Sequence, residues 1–470
     1  MTITSAFNTV RTGLHTVGTR AELISSNIAN SGREGYVRRD AELSTMINGG
    51  VTVAAIEREL DTALVGLTRT ESASASYHEA VVDSLSIYTN TLGEPGDSES
   101  LSVTLAEFQT ALDLLGTVPD DIAALKGAVD AAVSLADSLN EASRAVTKAQ
   151  VAAGDLLKQE IEETNVLLEK IVDLNRQIVT AEEGGMTRAS LLDDRDAALD
   201  ALAERIGITT QSDGQGRIDV LTDEGVALIE GLSFQPISYD AGTGTLSAGA
   251  QDITPGRTGV HGTQSGSLSA RVTVKDIDLP QMAAQLDEVA RALIETFEAA
   301  DASLAVGQAG LLTDAGGVYD PLMQDGLAGR IAVNDAVRAD VGGDPAKLRS
   351  GIGALVSAAA SDRTQLTSFS DALAERQGFD GTLGLGSNMK LSDYVATLVA
   401  DQKLRITEAK QDGEARRASS AALISERSQI EGVNVDDELQ KLLAVEQAYA
   451  ANSQVITALT RMMDTLLEAV

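Results

Sequence analysis

Both ends of this 470-residue chain carry apolar residues at the alternating three- and four-residue spacing of a coiled-coil seam. Near the N-terminus the positions are Ile3, Phe7, Val10, Leu14, Val17, Ala21, Ile24 and Ile28, and residues 1–32 hold only Arg11, Arg20 and Glu22 as charges. Near the C-terminus they are Leu442, Val445, Tyr449, Asn452, Ile456, Leu459, Met463, Leu466 and Val470. Asn452 is the strongly polar member, and a polar seam residue fixes register at some cost in stability. Chain ends are ordinarily frayed and polar. An apolar stripe at each end therefore predicts helices that pair with each other and with neighbouring chains. Such a helix is marginal alone in water, and each large seam residue contributes roughly 1.5–3 kcal/mol only once buried. The expectation is a terminal coiled-coil assembly domain, residues 1–60 with 425–470, disordered in the monomer and ordered on docking.

The ends of the stripes are marked. The first stops at "SSNIANSGREGYVRR", where Asn27, Asn30, Gly32 and Gly35 tolerate the left-handed backbone that ends a helix. The second follows "GVNVDDE", with Asn434 as N-cap and Asp436, Asp437 and Glu438 near the positive end of the helix dipole. Between them the longest helical signal runs from Pro119 to Gly184-Gly185, roughly 60 residues or ~90 Å at ~1.5 Å per residue. Gly127 and Gly154 are the places where it would bend or break. Its expected partners are residues 61–92 and 391–430, within an α-helical body of residues 61–206 with 276–424. Twelve glycines fall between 207 and 266. There "RIDVLT", "VALIE", "SFQPISY" and "SLSARVTV" read as short strands, making 207–275 a small β-rich outer domain, peripheral and removable. Helix resumes at Leu279–Ala300, and the Gly- and Asp-rich stretch 301–390 has no clear period. The predicted fold is mainly α with a β-rich insertion.

Composition narrows the function. Aromatics are 3% of a chain that is 43% apolar, so Ala, Leu and Val do the burying. The net charge is −34, with residues 1–60 neutral, 425–470 at −5 and the middle at −29. That sign argues against nucleic acid and anionic membrane as partners. Without cysteine there are no disulfides, thiolate metal sites or Cys nucleophile. No apolar run approaches the ~20 residues of a membrane span, and the opening residues lack the pattern of a Sec signal, so export would use another route. His15, His78 and His261 are far apart without metal-ligand spacing. Ser387-x-x-Lys390 lacks the companion motifs of a serine acyl-enzyme, and "GIGALV" lacks the third glycine of a dinucleotide loop. "LLDDRDAALDALAERIG", from Leu191, reads as an amphipathic helix with a solvated charged face rather than a cation site. No catalytic, cofactor or metal residue is assigned.

The stretch that stops the first stripe resembles the Asn-rich signature of bacterial flagellar axial proteins, through Asn27, Ile28, Ala29, Asn30, Gly35, Tyr36 and Arg38. Ser26 and Glu34 depart from that signature. The C-terminal stretch, with Gln447-Ala448-Tyr449 and the Met-Asp-x-Leu-Leu close, is similar to the last helix of the hook-associated junction family; "LLDDRDAALDAL" and "SGSLSARV" resemble internal segments of it. The resemblance implies a secreted, extracellular structural protein of the flagellum that passes through the flagellar type III export channel, aided by a chaperone. It would form a ring-like homo-oligomer between the hook protein and the next hook-associated protein. The alternatives are another axial protein (hook, rod or flagellin-like) and an export-associated hydrolase.

Overall fold

The structure is a computed structural model that describes residues 3–33, 35–47, 49–92, 100–214 and 216–468. Helix α1 (Ile3–Asn30) leads into a hairpin, β1 (Arg39–Thr45) and β2 (Val51–Arg58), then α2 (Thr62–Leu92), α3 (Leu101–Thr117), α4 (Ile122–Thr180) and α5 (Met186–Arg205). Seven short strands follow: β3 (Ile208–Ser212), β4 (Ile218–Thr222), β5 (Ala227–Glu230), β6 (Ser233–Phe234), β7 (Ile237–Asp240), β8 (Thr245–Ala248) and β9 (Gln251–Asp252). They form two antiparallel meanders, β3-β4-β5-β6 and β7-β8-β9. Helices α6 (Ser267–Thr273) and α7 (Leu279–Ala300) are joined by one π-helical turn at Val274–Asp278. The stretch 301–390 holds β10 (Leu312–Asp314), β11 (Ile331–Val333), α8 (Lys347–Ser350), α9 (Thr364–Ala374), β12 (Arg376–Gly378) and β13 (Asn388–Lys390). Two long helices close the described chain, α10 (Leu391–Glu431) and α11 (Val435–Glu468).

Backbone contacts divide the chain into two compact units. One comprises Met1–Tyr77, Gln159–Ser269 and Gly413–Val470, the other His78–Lys158 and Ala270–Asp412. These limits differ from the expected boundaries near 60, 206, 275 and 424, and the β-rich segment shares a unit with both chain ends. Two asparagines of α4 explain why it is docked rather than peripheral. Asn165 exchanges two hydrogen bonds with the backbone of Ile237, donating and accepting at 2.8 Å as a neighbouring strand would. Asn175 donates to the carbonyls of Ile218 and Gly231 and accepts from the Ile218 amide. Leu168, Ile171 and Ile178 on the same stretch of α4 are fully buried.

The second unit has an aromatic centre, with the Phe297 ring 5.4 Å from Phe108 and 5.2 Å from Phe369. A buried polar relay crosses it. Tyr88 donates to Gln402, Gln402 to Gln285 at 2.7 Å and Gln285 to the Leu383 carbonyl. Burial pushes the Tyr88 hydroxyl far above its ordinary pKa, so it remains a donor.

Four expectations need correction. "SLSARVTV" is helix and π-turn, with Leu268, Ala270, Val272 and Val274 buried and Ser269 and Arg271 between them buried as well. Its strict alternation of polar and apolar residues imitates a half-buried strand, and the burial of Ser269 and Arg271 as well is what that pattern cannot show. The long helix starts at Ile122 with Asp121 as its cap, donated to by the amides of Ala123 and Ala124, rather than at Pro119. It runs through Gly127 and Gly154 without interruption. The hairpin at 39–58 falls inside the segment expected to be coiled coil: β1 is mostly polar, and the helix beside the hairpin supplies part of what holds it. Thr16 of α1 donates to the Val51 carbonyl, and Thr9 to that of Gly49.

Candidate assembly surface at the paired termini

Helices α1 and α11 pack against each other. Val17, Ile24 and Val445 form a buried centre, with Ala21, Ile28, Leu442 and Ala448 around it. Leu459 is buried further along, and Phe7, Val10, Leu14 and Ile456 are half-buried. The polar seam member Asn452 faces a glycine: a Cβ added at Gly13 would lie 3.5 Å from Asn452 Nδ2. Tyr449 and Met463, expected in the seam, are exposed. A helix of 3.6 residues per turn drifts by ~20° per heptad from a strict seven-residue repeat, so Ala448 rather than Tyr449 meets α1. Val470 lies outside the described residues, as do the side chains of Ile3 and Leu466.

Asn27 does not end the first helix. It sits inside α1, buried, and all four hydrogen-bonding positions of its amide are used. Its Nδ2 donates to the Arg39 carbonyl at 2.9 Å and to Glu438 Oε2 at 3.0 Å; its Oδ1 accepts from Tyr36 Oη at 2.8 Å and the Arg39 amide at 3.2 Å. Asn30 closes the last turn by donating to the Ser26 carbonyl, and Gly35, at φ +76°, turns the chain back so that Tyr36 reaches Asn27. On the other side, Asn434 Oδ1 accepts from the amides of Asp436 and Asp437, capping α11. Glu438, 1% exposed, accepts from Asn27 and from Lys441 Nζ. One amide thus joins α1, the strand that follows it and the first turn of α11.

Beneath this hub lies a ladder of charges. Arg39 and Arg58 are directly paired across β1 and β2, an arrangement of like charges that is destabilising by itself. Asp193 of α5 resolves it, one carboxylate oxygen 2.6 Å from Arg39 and the other 2.8 Å from Arg58. The alternation continues through Asp196, Arg69, Asp200, Arg427 and Glu431. Burial pushes the Asp196 carboxyl up, but the Arg58 and Arg69 guanidiniums together outweigh it and hold its pKa below the usual carboxylate value. Arg195, between the acids, instead donates to Asn175 and the Gly216 carbonyl; burial pushes its pKa down to about 10. The helix expected to present a solvated charged face therefore buries it. The signal was present: 193, 196 and 200 are spaced three and four apart, on one face. The arginines that meet them come from segments over a hundred residues away, which no local pattern reveals.

Much of α11 outside the α1 contact is apolar and exposed, including Leu439, Leu443, Tyr449, Val455, Met462, Met463 and Leu467. The other candidate motifs are structural. Ser387 accepts through its carbonyl from the Phe379 amide, and Lys390 ends β13. Gly351, at φ +94°, makes a turn whose next amide, Ile352, donates to Asp301. Among the described residues no group of His, Cys, Asp and Glu could hold a metal ion, and no helix is long and apolar enough to cross a membrane.

Comparison with known proteins fits this arrangement. Residues 85–310 match the model of the flagellar hook-associated protein FlgK helical domain, and residues 426–469, which take in the end of α10 and all of α11, match that of the flagellar basal body rod FlgEFG protein C-terminal. The flagellar hook-associated protein 1 of Bacillus subtilis (strain 168) is 23% identical, covering 99% of this chain and 98% of its own; that of Escherichia coli (strain K12) is 22% identical over 99% and 100%. The chain belongs to the flagellar hook-associated protein 1 family. Within that family it is a structural component of the bacterial flagellum, with its role at the hook–filament junction. The solved flagellar hook junction protein FlgK from Burkholderia pseudomallei is 20% identical with a TM-score of 0.43, over 53% of this chain and 47% of that one. The paired termini and the Asn27 hub of this hook-associated protein lie outside the helical-domain match, at the two ends.

Proposed function

We propose that this chain forms a ring-like layer of identical subunits between hook protein and the next hook-associated protein, and that its paired termini carry the contacts. The supporting observation is α11, which buries Val445 and Leu459 on one side while leaving Leu443, Tyr449, Met462 and Leu467 in water. Large apolar groups on a helix already packed along one stripe gain stability only when a further surface covers them. In this reading the chain leaves the cell through the flagellar type III apparatus with a chaperone on its C-terminal region. Docking covers the outer side of α11, so that apolar surface is buried only in the assembled layer. The process needs burial alone and no chemical step.

The test separates the two sides of α11. Leu443→Asp places a charge on the exposed side, so the purified monomer should keep its melting temperature. Cells carrying it should build hooks, release filament subunits into the medium and fail to swim. Normal swimming by this variant would remove the outer side of α11 from the assembly surface.

A further inference from the structure

The geometry points to a second task for the charges on α5: they clamp both roots of the terminal helix pair and so set the direction in which that pair leaves its unit. The pair has two roots. One is the chain at Arg38–Arg39, just after α1; the other is Glu431, at the end of α10 and just before α11. The ladder begins at one and ends at the other. From Arg39 it runs through Asp193, Arg58, Asp196, Arg69, Asp200 and Arg427 to Glu431, every link between 2.6 and 3.3 Å. A backbone hydrogen bond closes the circuit, from the Arg38 amide to the Glu431 carbonyl at 2.7 Å.

Hydrophobic packing alone would leave the roots free to slide, because burial is non-directional. Guanidinium–carboxylate pairs are directional, and Arg presents its donors in a rigid planar fork. Asp193, Asp196 and Arg69 of the ladder are buried, so salt screens that part weakly. Charges held this way are better suited to specifying one orientation than to adding net stability. A layer that stacks on one protein and supports another needs its terminal pairs at one common angle. The clamp therefore rests on the junction reading above and adds the positioning residues to it: Asp193 at one root and Arg427 at the other.

The absence of cysteine makes the test direct. Gln454→Cys on α11 and Thr210→Cys on β3, both exposed positions of one unit, carry spin labels in the full-length chain, and the distance distribution between them is measured. The unaltered ladder should give a single narrow distribution. Asp193→Asn and Arg427→Gln should each broaden it at least twofold and cut the fraction of hooks bearing filaments severalfold, while retaining cooperative unfolding. Asp194→Asn, whose ion pair with Arg33 is exposed, should change neither. If Asp193→Asn fails to fold, Arg427→Gln decides alone. A distribution that stays narrow in the folded ladder variants, or one that Asp194→Asn broadens equally, overturns the clamp. So does a broad distribution with normal filament attachment, and the junction reading survives that result, since it is tested on Leu443.

Discussion

At the scale of single residues, Asn27 and Asp193 each reconcile groups that would otherwise conflict. Asn27 supplies two donors and two acceptors to backbone and side chains that have left water. An unsatisfied buried polar group costs about 1–3 kcal/mol. Asn27→Ala orphans the Tyr36 hydroxyl and Glu438 together, so a loss of about 2–5 kcal/mol in urea unfolding is expected. Asn27→Asp, a closer match in shape, should also destabilise, because it sets a carboxylate against Glu438. Asp196 predicts a pH dependence. Its folded pKa is lowered, so its contribution is fully present above the unfolded value of about 3.9 and is lost as pH falls through the lower folded value. Acid titration of urea stability should show a decline below about pH 4 that is shallower in Asp196→Asn. A decline of equal steepness in both would assign the acid sensitivity to other carboxylates.

At the scale of elements, two glycines with opposite surroundings give opposite expectations. Gly184 turns the chain after α4 at φ +69°, and an added Cβ would lie 2.8 Å from the Ala55 Cα, where the Ile56 amide donates to the Gly184 carbonyl. Gly184→Ala should therefore cost more than about 1 kcal/mol, from strain and from pushing β2 away. Gly154 lies within α4, and its added Cβ would meet only the Lys275 side chain at 3.5 Å, an ordinary contact. Replacing it with alanine should raise stability by about 0.5–1 kcal/mol through helix propensity. Measuring the two variants side by side in urea checks both signs. The same comparison explains why α4 was readable from its punctuation while the hairpin was not. A long helix is bounded by local signals such as Asp121 and Gly184, whereas β1 and β2 are held by Thr9, Thr16 and α5, which lie outside the hairpin's own sequence.

At the scale of the whole molecule, the β-rich segment belongs with the chain ends rather than standing apart. Replacing residues 208–252 with a short Gly-Ser bridge would remove the partners of Asn165 and Asn175 and uncover the stretch of α4 around Leu168 and Ile171. The expected result is a broadened, lower-temperature unfolding transition; an unchanged transition would show that the lobe contributes nothing to its unit. The sequence by itself determined the two apolar terminal stripes, the long central helix, the helix at Leu279–Ala300 and the resemblance that led to the hook-associated family. All of these depend on period and punctuation within a few turns of chain. Tertiary structure decided which seam positions are covered, so that Ala448 replaces Tyr449, and it decided that the acids of α5 are buried. Those outcomes depend on the meeting of Arg39, Arg58, Arg69 and Arg427 with Asp193, Asp196 and Asp200 across long separations in the chain. A carboxylate's neighbours in space, and hence whether it faces water or a guanidinium, are not written in the residues beside it.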